Sequence, residues 1–163
     1  MAGIPLYATP VRAEWVDYNG HLRDAFYVLI ASLATDALMD QVGLDAAYRA
    51  RSGGTLYTLE LHVHYLREIK GAEQVSVELR VLAVDAKRLL ILLELRRASD
   101  AQLCAAVELL LLHVVQDASG VHGATLPEAV GAALAALQSR TETLPDEAPS
   151  SRRIELRRAP TPA

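Results

Sequence analysis

Four strand-like segments follow one another in the middle of the chain, and this run constrains the fold more than any other feature. They cover residues 56–66, 73–84, 89–97 and 103–115. Apolar and polar side chains alternate most regularly in 73–84, as in a strand with one buried face. The breaks between segments contain Lys70-Gly71, Asp85-Ala86 and Ser99-Asp100. Because these breaks are short, the pattern predicts antiparallel hairpins.

A long apolar-periodic segment precedes the strands. From Phe26 to Leu38 the apolar side chains recur at three- and four-residue steps, which predicts a helix from about Asp24 to Val42. Gly43 is a natural C-terminal stop. A short strand over residues 7–16 comes before this helix, and Pro127 opens a last helix over 128–138. The order predicts an α+β fold with a five-stranded antiparallel sheet, one long helix and a C-terminal helix.

Length and composition indicate a single globular domain. The chain has 163 residues and a net charge of −4, and this mild acidity argues against a nucleic-acid partner. The first residues lack a signal-peptide pattern, and no run approaches the roughly 18 apolar residues of a membrane span. We therefore expect no membrane partner and a cytoplasmic location. We assign residues 1–140 to the domain and residues 141–163 to a flexible tail.

The two segments at 89–97 and 103–115 are apolar on nearly both faces. A strand of this kind is buried on both faces of its sheet. Because one helix cannot cover both faces of a five-stranded sheet, the pattern predicts that a second copy of the chain covers part of it. We expect a homodimer or a homotetramer.

The turn between the first strand and the long helix carries the chemistry. Residues 15–22 read WVDYNGHL, which sets a carboxylate, an amide and an imidazole just before a helix N-terminus. Such a turn combines a possible base with a possible anion site. It can also be a simple Asx/Gly turn that caps the helix.

Together, the Asp-x-Asn-Gly-His turn, the long helix and the strands resemble a hotdog-fold thioesterase of the 4-hydroxybenzoyl-CoA thioesterase-like branch. In that fold the sheet wraps around a long central helix. The resemblance covers roughly residues 5–116. Five blocks are more specifically similar to the betainyl-CoA thioesterases of carnitine breakdown. They lie at residues 15–21, 57–60, 64–68, 85–88 and 111–114.

The resemblance implies an enzyme that hydrolyses a short acyl-CoA, with betainyl-CoA giving glycine betaine and CoA. Two alternatives stay open at this point. One is a thioesterase for a neutral medium or long acyl chain, and the other is a non-catalytic module that binds acyl-CoA. Fold alone does not decide between them.

The catalytic roles implied by the resemblance fall on the turn. Asp17 would act as general base or as nucleophile. A backbone N–H at the helix start, at Arg23 or Asp24, would stabilise the oxyanion with help from the helix dipole. Asn19 and His21 would orient water or the thioester carbonyl.

All eight aromatic residues precede residue 66, so the rings gather around the turn, the helix start and the next strand. A trimethylammonium group binds aromatic faces by cation–π attraction. We therefore predict that Trp15, Tyr18 and Tyr57 bind the acyl group, with Glu60 as a charge partner.

CoA carries phosphates, which arginine and lysine bind. The candidates are Arg67, Lys70, Lys87 and Arg88, all at predicted strand ends. His62 and His64 share one strand face but have no third ligand at suitable spacing, so we expect neither a metal nor a cofactor.

Overall fold

The computed structural model describes residues 3–141. Its strands are β1 Ile4–Pro10, β2 Gly54–Tyr65, β3 Gln74–Val84, β4 Arg88–Arg97, β5 Gln102–Asp117 and β6 Gly120–Gly123. Its α-helices are α1 Asp24–Val42, α2 Ala46–Ser52 and α3 Glu128–Thr141, and a 3₁₀ turn covers Ala13–Trp15. The tail predicted over 141–163 lies, apart from Thr141 at the end of α3, outside the described residues.

The strands form one antiparallel sheet in the order β1-β3-β4-β5-β2, with β6 paired to β5. The predicted α+β class and the antiparallel sheet with its long helix and C-terminal helix are confirmed. The sixth strand was not predicted, because β6 has only four residues and all are exposed. Within the described part of the chain, β2 pairs with β5 alone and therefore forms an edge.

The long helix α1 lies against the sheet and forms the core with it. Ile30, Ala34 and Leu38 of α1 have no exposed surface, and neither do Ile91 and Leu93 of β4. Burying a large aliphatic side chain contributes about 1.5–3 kcal/mol, so this contact fixes the helix. By length and composition alone α1 could also cross a membrane, a criterion that a buried core helix meets equally.

The first strand is shorter than predicted. Its pairing with β3 ends at Pro10 opposite Gln74, and Val11 then donates its N–H to the Glu73 carbonyl. The chain continues as the 3₁₀ turn, whose last residue, Trp15, is buried. This ordered approach delivers the chain to the turn that precedes α1.

The face of the sheet opposite α1 is more polar than the sequence pattern predicted. Arg96 lies 2.7 Å from Glu94 and 3.2 Å from Glu78, and all three side chains are buried. The C-terminal helix α3 lies on the α1 side of the sheet and packs on β3, where Gln138 donates a hydrogen bond to the Leu82 carbonyl. Buried polar groups of this kind are retained when they are paired.

Candidate active site

The turn before α1 is a tight, internally bonded loop. Asp17 donates its N–H to the His21 carbonyl at 2.8 Å, and Gly20 donates to the Asp17 carbonyl at 3.1 Å. Val16 and Leu22 pair across its base. Gly20 has φ +82°, a left-handed conformation that glycine adopts without strain. The sequence therefore sets Asp17 and His21 in one small rigid loop.

The loop is fixed to the connection between β2 and β3. Leu22 donates to the Ile69 carbonyl at 2.7 Å, and Gly71 donates to the Gly20 carbonyl at 3.0 Å. His21 and Lys70 form a backbone bridge. These bonds join residues about fifty positions apart, so the position of the loop depends on the whole fold.

The Asp17 carboxylate is held in its ionised form by the loop. Its Oδ1 accepts the His21 N–H at 3.0 Å and the Asn19 N–H at 2.8 Å. The His21 N–H is the main reason that the pKa of Asp17 lies below its ordinary value, although desolvation opposes it. Among the residues that the structure describes, nothing donates a hydrogen bond to Oδ2. This oxygen is available to take a proton or to attack a carbonyl.

The N-terminus of α1 has no side-chain cap. Its N-cap residue, Arg23, donates its own N–H to the Trp15 carbonyl at 3.0 Å, and Ala25 donates to Asp24 Oδ1 at 2.9 Å. The Asp24 N–H has no partner within residues 3–141. The prediction of Arg23 or Asp24 as oxyanion donor is therefore revised, because only the Asp24 N–H is free to bind an anion.

The imidazole of His21 points to a residue that the sequence reasoning missed. Its Nε2 lies 3.2 Å from Oε2 of Glu68, and both side chains are partly exposed. The only signal for Glu68 was its position in the block at 64–68. The Asn19 side chain makes no hydrogen bond within the described residues, so its visible contribution is the backbone of the turn.

The rings predicted to bind the acyl group do not meet within one chain. Trp15 is only 4% exposed, stacks on Phe26 at 5.6 Å and has the Arg12 guanidinium 4.9 Å from its ring. Trp15 is therefore a core residue, since Phe26 and Arg12 cover its ring. Tyr18 is 95% exposed and packs against nothing that could complete a pocket.

Tyr57 and Glu60 also lie away from the turn. Tyr57 faces Leu112, about 27 Å along β2 from Tyr65 at a strand rise of about 3.4 Å. The Glu60 carboxylate lies 3.6 Å from His62. A single chain therefore does not bring together the predicted set, which is Trp15, Tyr18, Tyr57 and Glu60. The sequence alone did not show that the end of β2 lies beside the start of α1, which is where two rings do meet.

A cleft of about 280 Å³ opens beside the start of α1 instead. It is lined by Leu22, Asp24, Tyr27, Tyr65, Leu66, Arg67 and Glu68. The rings of Tyr27 and Tyr65 are perpendicular, with their centroids 5.3 Å apart, and Tyr65 donates its hydroxyl to the Asp24 carbonyl at 3.2 Å. The helical spacing from Asp24 to Tyr27 was the signal that could have found this face.

The four predicted CoA-binding residues form two pairs at opposite ends of the sheet. Arg67 and Lys70 flank the turn. Lys87 and Arg88 lie in the β3–β4 hairpin, where Arg88 contacts Asp85 at 2.6 Å. The Lys87 and Arg88 backbone N–H groups and the Arg88 side chain lower the pKa of Asp85 to about 2. The ten residues of β4 separate the two ends.

Within residues 3–141 no three His, Cys, Asp or Glu side chains form a metal-binding group.

A family model matches residues 11–134 of the chain, and its description is thioesterase-like superfamily. The chain belongs to the thioesterase-like superfamily. It is 47% identical over 139 residues to the betainyl-CoA thioesterase of Pseudomonas aeruginosa, covering 85% of this chain and 86% of that one. It is also 40% identical to the L-carnitine dehydrogenase/betainyl-CoA thioesterase of Agrobacterium fabrum, over 89% of this chain and 29% of that one.

Solved structures agree with this family membership. A putative thioesterase from Pseudomonas putida KT2440 matches with a TM-score of 0.82 and 41% identity, over 97% of this chain and 99% of that one. A hypothetical protein from Staphylococcus aureus, solved in complex with CoA, matches with a TM-score of 0.84 and 26% identity, over 96% and 98%. The predicted hotdog-fold thioesterase is confirmed, and the protein is a thioester hydrolase.

Proposed function

We propose that this thioesterase hydrolyses betainyl-CoA to glycine betaine and CoA, with Asp17 as its catalytic carboxylate. The observation that carries the proposal is the pairing of an ionised Asp17, whose Oδ2 has no partner within residues 3–141, with the uncapped N-terminus of α1. The 47% identity to a betainyl-CoA thioesterase supports the substrate.

Two routes use this geometry. In the first, Asp17 takes a proton from water, the hydroxide adds to the thioester carbonyl, and collapse of the tetrahedral intermediate releases the CoA thiolate, which takes up the proton. In the second, Oδ2 adds to the carbonyl and expels the thiolate, and water then hydrolyses the mixed anhydride. Both routes need a donor for the oxyanion, and we assign that role to the Asp24 N–H.

The acyl group that fits this site is short. The quaternary nitrogen of betaine withdraws electron density from a carbonyl one carbon away, so the thioester is already activated. A long acyl chain needs an apolar tunnel, and the contact between α1 and the sheet is filled by side chains such as Ile30, Ala34 and Leu38. This packing favours betainyl-CoA over the neutral long-chain alternative.

The test is a panel of acyl-CoA thioesters assayed by release of free thiol. We expect betainyl-CoA to be hydrolysed with a higher kcat/KM than acetyl-CoA or octanoyl-CoA. Faster cleavage of octanoyl-CoA would favour the long-chain alternative. Binding of acyl-CoA without release of thiol would favour a binding module.

We also propose that the thioesterase acts in the cytoplasm as a homodimer joined along β2. This twelve-residue strand is an edge of the sheet within the described residues, and three of its large side chains, Tyr57, Leu59 and Tyr65, are about half exposed. Long apolar edges are liable to pair with another strand, and a two-fold dimer satisfies both copies at once.

Antiparallel pairing along β2 would also bring predicted binding residues from the two ends of the sheet close together, each end from a different subunit. The Gly54 end of the partner's β2 would lie beside Tyr65, and its β3–β4 hairpin would approach the turn from the same side. The partner's Tyr57, Lys87 and Arg88 could then reach CoA bound near Arg67 and Lys70.

We expect Leu59→Lys to shift the dimer towards monomer in light scattering, whereas Leu29→Lys, an exposed change on α1, should not. A dimer that persists in Leu59→Lys would exclude this interface, and a tetramer in the wild type would require a second one.

A further inference from the structure

We infer that the cleft lined by Asp24, Tyr27, Tyr65 and Glu68 holds the quaternary ammonium head of the acyl group. We call these four residues the head cleft. The inference rests on the proposed function and adds to it the residues that select a cationic acyl group. It also replaces the ring set predicted from the sequence, which does not assemble within one chain.

The two rings form a corner that suits a trimethylammonium group. Their planes are at 89° and their centroids 5.3 Å apart, an edge-to-face contact, so a cation at the open side of this corner would lie against the half-exposed Tyr65 ring with the buried Tyr27 behind it. Each ring face carries negative charge density that attracts a cation. A compact tetrahedral head uses two perpendicular walls better than a flat or extended group does.

The two rings are held in place differently, Tyr65 by a hydrogen bond to the backbone and Tyr27 by burial. The Tyr65 hydroxyl donates to the Asp24 carbonyl at 3.2 Å. Tyr27 is 4% exposed, and its burial raises the pKa of the hydroxyl to about 12, although a backbone hydrogen bond at Ile69 opposes that rise. One wall of the corner is thus fixed in the core, and the other, Tyr65, is 53% exposed in the single chain.

The charges around the corner favour a cation. The carboxylates of Asp24 and Glu68 line the cleft, and Arg67 is the only basic residue among those that line it. Carboxylates that line a cleft raise the local concentration of a cationic ligand. The cleft is open to solvent and has a volume of about 280 Å³, which is enough for a compact trimethylammonium group.

The head cleft also lies at the right place for the reaction. Asp24 contributes its side chain to the cleft and its free backbone N–H to the proposed oxyanion site, and in betainyl-CoA one methylene group separates the nitrogen from the carbonyl carbon. Glu68 contacts His21 of the turn at 3.2 Å. A head held in the corner would therefore bring the carbonyl to the start of α1 and towards Asp17.

The test compares two substrates of the same shape. In 3,3-dimethylbutanoyl-CoA a carbon atom replaces the quaternary nitrogen of betainyl-CoA, so only the charge differs. The readout is the ratio of kcat/KM for betainyl-CoA to kcat/KM for this neutral analogue. The two thioesters differ in intrinsic reactivity, but this difference does not depend on the enzyme variant. A change in the ratio between wild type and variant therefore reports the contribution of the mutated residue.

We expect Tyr65→Leu and Glu68→Gln each to lower this ratio about tenfold, the size of one good cation–π or charge contact. Tyr65→Phe keeps the ring face but loses the hydroxyl bond to Asp24, so it should lower the ratio less than Tyr65→Leu does. Glu128→Gln, the same loss of charge on α3, should leave the ratio unchanged. An unchanged ratio in both Tyr65→Leu and Glu68→Gln would overturn the head cleft. If the wild type itself shows no preference for betainyl-CoA, the proposed function fails instead.

Discussion

The two ends of β2 differ in how their polar groups are satisfied. At the Gly54 end the buried His113 uses both ring nitrogens, one with the Tyr48 hydroxyl at 2.9 Å and one with the Ala124 carbonyl at 3.0 Å. At the Tyr65 end, Oδ2 of Asp17 and the Asp24 N–H have no hydrogen-bond partner within residues 3–141. Paired polar groups stabilise the fold, whereas the groups left unpaired at the surface are available to a substrate.

The packing of glycines shows the same contrast. A Cβ on Gly54 would lie 2.6 Å from the Tyr48 ring, so the chain leaves no space there. A Cβ on Gly20, in the turn, would meet nothing within 4 Å. The Gly54 end is closed by packing, and the turn at the other end is open. We therefore expect mutations at the Gly54 end of β2 to affect stability and mutations at the turn to affect catalysis.

The largest effect is expected for Asp17→Asn. Asparagine keeps an oxygen that can accept the two backbone N–H groups but cannot serve as base or nucleophile, so kcat for betainyl-CoA should fall by about 10²- to 10⁴-fold. The urea midpoint of unfolding should stay that of the wild type. Asp36→Asn, an exposed change on α1, is the matched control. Wild-type activity in Asp17→Asn would remove the catalytic role from the turn.

The next effect is expected for His113→Leu, at the closed end. Leucine fills a similar volume but leaves the Tyr48 hydroxyl and the Ala124 carbonyl buried without a partner, which costs about 2–4 kcal/mol of the free energy of unfolding. Urea denaturation measures this loss. The kcat/KM of the folded variant should stay within about twofold of the wild type. A large loss of kcat/KM at unchanged stability would contradict the division between the two ends.

The pH dependence tests the Asp17 carboxylate directly. The backbone N–H of His21 lowers the pKa of Asp17 below its ordinary value, so the carboxylate is ionised at neutral and mildly acidic pH. The Asp17 contribution to kcat/KM should therefore be constant from neutral to mildly acidic pH, and the midpoint of its fall should lie below the ordinary pKa of an aspartate. Circular dichroism over the same range controls for acid unfolding. If a fall near pH 6 is traced to Asp17 by its carboxylate NMR signal, the loop does not hold the anion as described.

The smallest effect is expected for Asn19→Ala. The Asn19 backbone N–H bonds to Asp17, and alanine keeps that N–H, so kcat/KM should change by no more than about twofold, as for a surface substitution. Gly20→Ala is the informative comparison, since it strains the left-handed φ of the turn. A loss of 100-fold in Asn19→Ala would instead support the catalytic role that the sequence predicted for Asn19.

The sequence predicted the elements whose signals are local. The start and end of α1 follow from its periodic apolar residues and from Gly43, which adopts φ +91° after the last turn. The Asp17 turn follows from its Asx and glycine residues. These features need few contacts from distant parts of the chain, so short patterns were enough to find them.

The parts that the sequence did not predict depend on distant contacts. Tyr65 meets Asp24 and Tyr27 only because β2 ends beside the start of α1, and Glu68 meets His21 across a similar separation. Trp15 was predicted to bind the substrate, but Arg12 and Phe26 occupy its surroundings. No single-sequence pattern contains those distances.

A crystal structure with an inert substrate analogue tests the central claim most directly. In the analogue a methylene group replaces the thioester sulfur of betainyl-CoA, which preserves the carbonyl and the head but prevents hydrolysis. We expect the carbonyl oxygen to lie within hydrogen-bond distance of the Asp24 N–H, with Oδ2 of Asp17 beside the carbonyl carbon. The trimethylammonium group should lie in the corner between Tyr27 and Tyr65. A carbonyl bound away from the start of α1, for example in the groove between α1 and α3, would contradict the account.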